Sequence, residues 1–159
     1  MIHALFASAC VCVALVAAPA SASAEVNLGP HLGINFDWDE VILGGEVRPD
    51  IATLAPTVIM QLDPSFTFAL LGGGATALDF SLNVPFEFMI RDSVLRPFSG
   101  PGLALVHYSG NGGSATDLYL NIIGGLLFDL GSVDPFVQLK VMIPHGSMSE
   151  LMAGVLFKI

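Results

Sequence analysis

A histidine, a serine and an aspartate lie close together in the second half of the chain. His107 and Ser109 are separated by one residue, and Asp117 follows shortly after them. A serine activated by a histidine, which a carboxylate orients, is the recurring arrangement of hydrolases. These three residues are a candidate catalytic group. The alternative interpretation is that they form the polar mouth of a loop.

A second group of residues could bind an ion. Asp37, Asp39 and Glu40 form a short acidic segment whose oxygens suit Ca²⁺ or Mg²⁺, and a solvated acidic turn is the alternative. His31 has no second histidine or cysteine at ligand spacing, so we expect it to be a hydrogen-bonded interior residue. Residues 145–147 (His-Gly-Ser) are interpreted as a turn. We predict no cofactor and no metal centre.

The composition excludes several classes of protein. Of the 159 residues, 53% are hydrophobic and 12% are charged, and the formal net charge is −9. Nucleic-acid recognition depends on Lys and Arg, so a nucleic-acid partner is not expected. Residues 1–24 are typical of a secretion signal cleaved after Ala24, which leaves residues 25–159 as one domain. Both cysteines lie in the signal, so the mature domain has no thiol.

Apolar and polar residues alternate along most of the mature chain. Every second residue from Leu78 to Ile90 is apolar, and the positions between them include Asp79 and Glu87. A period of two indicates a strand with two different faces. The predicted strands cover residues 26–36, 41–48, 54–62, 78–91, 95–108, 117–128, 137–143 and 149–159. The connections at 37–40 and 144–149 are short, and the largest are 63–75 and 109–116.

These eight strands predict an all-β, antiparallel, up-and-down barrel, because closure removes both unpaired edges of the sheet. A water-facing surface is about 25–35% charged, whereas the polar positions here are mostly uncharged. Phe80, Phe86 and Phe88 would also overfill the narrow interior of an eight-stranded barrel. We therefore predict that the apolar face contacts lipid, with a soluble lipocalin-like periplasmic carrier as the alternative. The polar residues predicted to face the interior are Asn27, His31, Asn35, Glu46, Arg48, Gln61, Asp79, Asn83, Glu87, Tyr119, Asn121, Gln138 and Lys140.

Charges and aromatic residues extend this prediction. Charged residues of the interior set are expected to pair across the barrel and to leave no wide pore. If both termini are periplasmic, several aromatic residues fall near the membrane interfaces, as in the aromatic girdles of such barrels. The predicted interface residues are Trp38 and Tyr108 at the outer side and Phe98, Phe136 and Phe157 at the inner side. Four prolines within predicted strands require bulges or strand ends, namely Pro30, Pro56, Pro85 and Pro101.

Three features carry a resemblance to a known group, and one of them is the secretion signal at residues 1–24. Residues 83–88 (Asn-Val-Pro-Phe-Glu-Phe) and 96–103 (Arg-Pro-Phe-Ser-Gly-Pro-Gly-Leu) are similar to the strand, short periplasmic turn and Gly-rich strand of the small outer-membrane β-barrel superfamily of Gram-negative bacteria. That porin-like group includes outer-membrane protein X and the opacity-type barrels. The last strand, which alternates up to Phe157 and Ile159, resembles the signal that the outer-membrane assembly machinery recognises.

The resemblance implies an outer-membrane location, with membrane lipids, lipopolysaccharide and the assembly machinery as partners. It fixes fold and compartment better than function. We expect a non-enzymatic structural or surface-interaction protein. The His107-x-Ser109 pattern also resembles lipid A deacylases, which are eight-stranded outer-membrane enzymes, although Gly110 stands where that family prefers Asn. A lipid hydrolase is therefore the alternative function.

Overall fold

The computed structural model describes residues 25–110, 112–143 and 148–159, so the predicted secretion signal and the predicted turn at 145–147 lie outside the described residues. No helix in the described ranges is long and apolar enough to cross a membrane. The strands are β1 (Val26–Asn35), β2 (Glu40–Ala55), β3 (Val58–Gln61), β4 (Asp63–Leu71), β5 (Ala75–Asn83), β6 (Phe86–Phe88), β7 (Leu95–Gly110), β8 (Gly113–Phe128), β9 (Val133–Ile143) and β10 (Met148–Lys158).

The ten segments form one closed ring of eight antiparallel strands. Segments β3 and β4 together make the third strand of the ring, and β5 and β6 make the fourth. The last strand, β10, pairs with both β9 and β1, so the sheet closes on itself. This confirms the predicted all-β, eight-stranded, up-and-down barrel. We call the end that carries both chain termini the terminal end, and the opposite end the distal end.

Two predicted turns are strands in the structure. The predicted loop at 63–75 is mostly β4, and the chain turns only at Gly72–Gly74. The connection expected between the predicted strands 41–48 and 54–62 lies inside β2, and the chain reverses instead at Pro56 and Thr57. The predictions were wrong because polar residues that face the barrel interior, such as Asp63, are of the types that are common in turns.

The four prolines of the predicted strands lie at a turn or next to an interruption of a hydrogen-bond ladder. Pro56 occupies a turn, and Pro85 lies in the gap between β5 and β6. Pro101 faces that same gap from β7, and its carbonyl accepts a hydrogen bond from the Val84 amide at 2.9 Å. Pro30 lies where the pairing of β1 with β10 skips two positions. Each proline therefore loses little by lacking an amide hydrogen.

Large apolar side chains face outward around the whole ring. Phe80 and Phe88 are 46% and 42% exposed, so neither packs inside the barrel. Every strand of the ring contributes at least one exposed large apolar residue, among them Leu32, Leu43, Phe66, Phe80, Leu103, Leu120, Leu139 and Leu151. A soluble carrier would have its large apolar side chains inside the barrel, whereas here they lie on the outer surface.

Candidate functional site

The barrel interior collects the polar side chains. Every polar residue predicted to face the interior is buried, and none is more than 7% exposed. The structure adds further buried polar residues that the sequence analysis missed, namely Asp63, Thr67, Ser81, Asp134 and Glu150. Asp63 was missed because it begins the loop that was predicted at 63–75. The others could have been found from the alternation of inward and outward residues once the strand boundaries were known.

Arg48 is the centre of the first buried charge cluster. Its Nη2 atom lies 2.7 Å from Glu46 Oε1 and donates a hydrogen bond of 2.7 Å to Gln138 Oε1. Asp63 Oδ1 lies 3.9 Å from Arg48 Nε. His31 extends the cluster, because its Nδ1 is 3.3 Å from Glu46. Polar and charged side chains from β1, β2, β4 and β9 thus meet inside the barrel, although the contact between Glu46 and Arg48 lies within one strand rather than across the barrel.

Two aromatic rings enclose the guanidinium of Arg48, which lies 4.4 Å from the ring centroid of Phe98 and 4.9 Å from that of Phe136. The prediction that these phenylalanines lie at the membrane interface is wrong, because they are 3% and 2% exposed inside the barrel. Space for them comes from glycines. A Cβ at Gly125 would lie 2.6 Å from the Phe98 ring, and one at Gly154 would lie 2.5 Å from the Phe136 ring.

Lys140 is the centre of a second buried cluster. It pairs with Asp79 and, at 3.1 Å, with Glu150. Ser81 donates a hydrogen bond to Asp79 at 2.9 Å, and the side-chain amide of Asn35 donates one to Glu150 at 3.1 Å. Hydrogen bonds of this kind are what a buried ion pair needs to be tolerated.

A third group of charges lies at the terminal end. Arg96 pairs with Glu87 at 2.9 Å and with Asp129. Lys158 pairs with Asp129 at 2.9 Å and with Asp134 at 3.2 Å. Gln61 donates hydrogen bonds to Glu87 at 3.1 Å and to Asp50 at 2.8 Å. These contacts connect several strands and their connecting loops at the terminal end of the barrel.

Apolar clusters close both ends of the polar interior. The terminal cluster comprises Phe98, Ile123, Leu127, Phe136 and Leu156. At the distal end, Trp38 and Tyr108 pack edge to face, with ring centroids 5.7 Å apart, against buried residues that include Met142. These two aromatic residues were also predicted to face the interface, and they cover the interior instead. Phe157 does face outward and is 46% exposed.

The candidate catalytic residues are not brought together. The β7–β8 register places Thr116 opposite His107 and Asp117 opposite the fully buried Val106. Residues directly opposite each other share a face of the sheet, so His107 and Asp117 point to different faces. The His107 ring instead contacts the Thr116 hydroxyl at 2.8 Å. Ser109 shares the face of His107, and its cross-strand partners are Thr76 and Ser114, neither of which is a carboxylate.

The acidic turn after β1 has a structural role. The Asp37 carboxylate accepts a hydrogen bond from the Ser149 amide at 2.7 Å, which ties the turn to β10. Asn35 Oδ1 accepts hydrogen bonds from the amides of Asp37 and Trp38 at 3.0 and 3.1 Å. Among the described residues, no three His, Asp or Glu side chains are arranged to hold a metal ion.

Solved structures of small eight-stranded barrels of the outer membrane match this fold. The N-terminal β-barrel domain of Pseudomonas aeruginosa OprF has a TM-score of 0.65 at 17% identity, covering 86% of this chain and 98% of that one. Neisserial surface protein A has 0.60 at 13% identity, covering 85% and 95%.

The outer-membrane enzyme PagL is also similar in structure. Its TM-score is 0.54 at 18% identity, covering 84% of this chain and 98% of that one. No protein-family model matches this chain, and no curated protein is similar to it. At these identities the similarity establishes the fold of an outer-membrane barrel, and both enzymatic and non-enzymatic proteins share that fold.

Proposed function

We propose that this chain is an integral outer-membrane barrel of a Gram-negative bacterium, with a structural or surface-interaction role and no enzymatic activity. One observation carries the proposal: Phe80, Leu103 and Leu120 face outward, whereas Arg48 and Lys140 are buried inside. An apolar exterior around a polar interior is the arrangement that lipid requires of a barrel.

Cell fractionation tests this proposal. We expect the protein in the membrane fraction, soluble only with detergent, and with a different gel mobility before and after boiling, because a closed barrel resists detergent unfolding. A protein recovered in the periplasmic wash, with no mobility change on boiling, contradicts the proposal.

The proposed partners are outer-membrane lipids, lipopolysaccharide and the outer-membrane assembly machinery. Strand β10 presents Leu151 and Phe157 outward and closes the ring against β1, so it is the segment proposed to contact the assembly machinery. Lipopolysaccharide would contact the outward apolar side chains through its acyl tails. Its phosphates would need bridging divalent cations at the distal end, where Asp37, Asp39 and Glu40 are acidic.

The charge of the distal end also limits its partners. The five Lys and Arg residues of the chain lie inside the barrel or at the terminal end, as Arg48, Arg91, Arg96, Lys140 and Lys158. The attachment invasion locus protein Ail of Yersinia pestis has been solved with the heparin analogue sucrose octasulfate. We propose that this chain does not bind such polyanions. Retention of the folded protein on a heparin column at low salt would contradict this.

A lipid hydrolase remains the second candidate, because PagL shares the fold and His107 and Ser109 share an outward face. The position of Asp117 on the other face argues against it. The test compares hydrolysis of membrane lipid by purified wild type and Ser109→Ala. Hydrolysis by the wild type that the substitution abolishes would establish the enzyme, and we expect no difference.

A further inference from the structure

A shallow cavity opens at the distal end, between the β4–β5 hairpin and the β7–β8 hairpin. It has a volume of about 280 Å³, and its lining includes Leu71, Ala75, Tyr108, Gly110, Gly113 and Ala115. We call it the distal cup. Small-molecule pockets usually have about 300–1,000 Å³, so the distal cup has room for one long side chain rather than for a larger ligand.

The strand register places the distal cup on the inward side of the sheet. Tyr108 lies opposite Ala77 on β5 and opposite Ala115 on β8. Residues directly opposite each other share a face, and Ala77 is 1% exposed, so Tyr108 and Ala115 also face inward. Ala75 precedes Ala77 by two residues and lies opposite Leu71, so this pair belongs to the same face. The distal cup is therefore part of the mouth of the barrel.

An acidic side chain lies beside the distal cup. Asp117 follows Ala115 by two residues on β8, so it shares the inward face and lies about 7 Å further along the strand. Asp117 is exposed, and its cross-strand partner Val106 is apolar and fully buried. A largely apolar cavity with a carboxylate at its edge fits a side chain that is apolar along its stem and positively charged at its tip.

The two ends of the barrel differ in charge. At the terminal end, six acids stand against three cations, namely Glu25, Asp50, Glu87, Asp92, Asp129 and Asp134 against Arg91, Arg96 and Lys158. The distal end has four acids, namely Asp37, Asp39, Glu40 and Asp117, and within the described residues it has no Lys or Arg. A cationic partner is therefore attracted to the distal end, and the same attraction speeds its approach.

We propose that the distal cup binds a lysine side chain from a basic peptide segment of an extracellular protein. In this arrangement the aliphatic stem lies against Leu71, Ala75 and the Tyr108 ring, and the ammonium group lies at the Asp117 carboxylate. Lysine buries its methylenes along apolar surface while its charged head stays in water, and an aromatic ring also attracts a cation. The inference rests on the outer-membrane location proposed above, which exposes the distal end at the cell surface.

Peptide binding tests the inference. Residues 25–159 are folded into nanodiscs of phosphatidylcholine, which has no net charge, and are titrated with hexalysine whose ends are blocked. Trp38 is the only tryptophan of the chain and packs against Tyr108, so its fluorescence reports occupation of the distal cup. We expect saturable binding that weakens with added salt, and no binding of the same peptide with acetylated side chains. A folded barrel that does not bind hexalysine would overturn this inference and leave the proposed location standing.

A first pair of variants tests the cavity. Ala115→Phe fills the distal cup without changing the charge, and we expect it to weaken binding about tenfold, which corresponds to about two lysine methylenes that are no longer buried. Thr116→Phe is the matched control, because Thr116 lies opposite His107 on the outward face of the same strand. It is expected to leave the binding of hexalysine unchanged.

A second pair of variants tests the charge. Asp117→Asn is expected to weaken binding about threefold, which is within what an exposed ion pair contributes. Asp92→Asn removes a terminal-end acid whose side chain is 92% exposed, and is expected to have no effect. If Ala115→Phe fails to fold, this second pair still decides. Equal effects within either pair would overturn the proposal, because binding would then be a diffuse attraction between opposite charges.

Discussion

Lys140 shows what one buried side chain does for the barrel, because it forms ion pairs with both Asp79 and Glu150. Removing one partner of a buried ion pair leaves charge without compensation and costs about 3–5 kcal/mol. We predict that Lys140→Met lowers the free energy of unfolding by about that amount in urea titrations of the protein in lipid vesicles.

The matched control for this prediction is Arg91→Met. The Arg91 side chain is 94% exposed, and its contact with Asp92 is at 3.8 Å. Exposed ion pairs contribute about 0–1 kcal/mol, so little change is expected. If both substitutions cost the same, the Lys140 cluster does not stabilise the interior in the way its contacts indicate.

The strands show their outward-facing apolar side most clearly along β5 and its continuation β6. Phe80 lies within β5, and Phe88 pairs with Val58 beside the terminal-end turn. Arginine on the lipid face of a barrel costs about 2–4 kcal/mol at the bilayer midplane and about 0–1 kcal/mol near the interface. We predict that Phe80→Arg destabilises the folded barrel by the larger amount and Phe88→Arg by the smaller one, measured by urea titration in vesicles. Equal costs, or a larger cost at Phe88, would contradict this placement.

The strands also show how far the sequence predicts the fold. Alternation in 78–91 and 117–128 predicts the strands, their faces and the closed ring. The faces are well determined because a shift of one residue in the pairing register would move every side chain to the opposite face. It misses β4, since the polar Asp63 resembles a turn residue. Phe98 and Phe136 were misplaced for another reason. Their space is made by Gly125 and Gly154 on neighbouring strands, and the pairing register that brings them together is not readable from one sequence.

The same limit applies to the candidate catalytic residues. His107 and Asp117 are close in sequence, and their separation onto two faces follows only from the β7–β8 register. Spacing along the chain therefore predicted proximity but not orientation.

For the molecule as a whole, the filled interior determines whether ions and solutes can pass through the barrel. Arg48 lies between two aromatic rings, and Trp38 and Tyr108 cover the distal end. An eight-stranded barrel is just wide enough to be filled by side chains. We predict that the protein in planar bilayers gives no stable large-conductance openings, while a wide-pore porin added to the same bilayer does. Stable large openings by the purified protein would contradict a filled interior.

The pairing of β1 with β10 has a consequence for biosynthesis. Strand β1 pairs with β10, which is synthesised last. One hydrogen-bonding edge of β1 therefore stays unpaired while the intervening strands are being synthesised. Contacts so distant along the chain form slowly, and an exposed strand edge attracts other chains in the meantime. The barrel can therefore close only after the last strand has been made and has paired with the first.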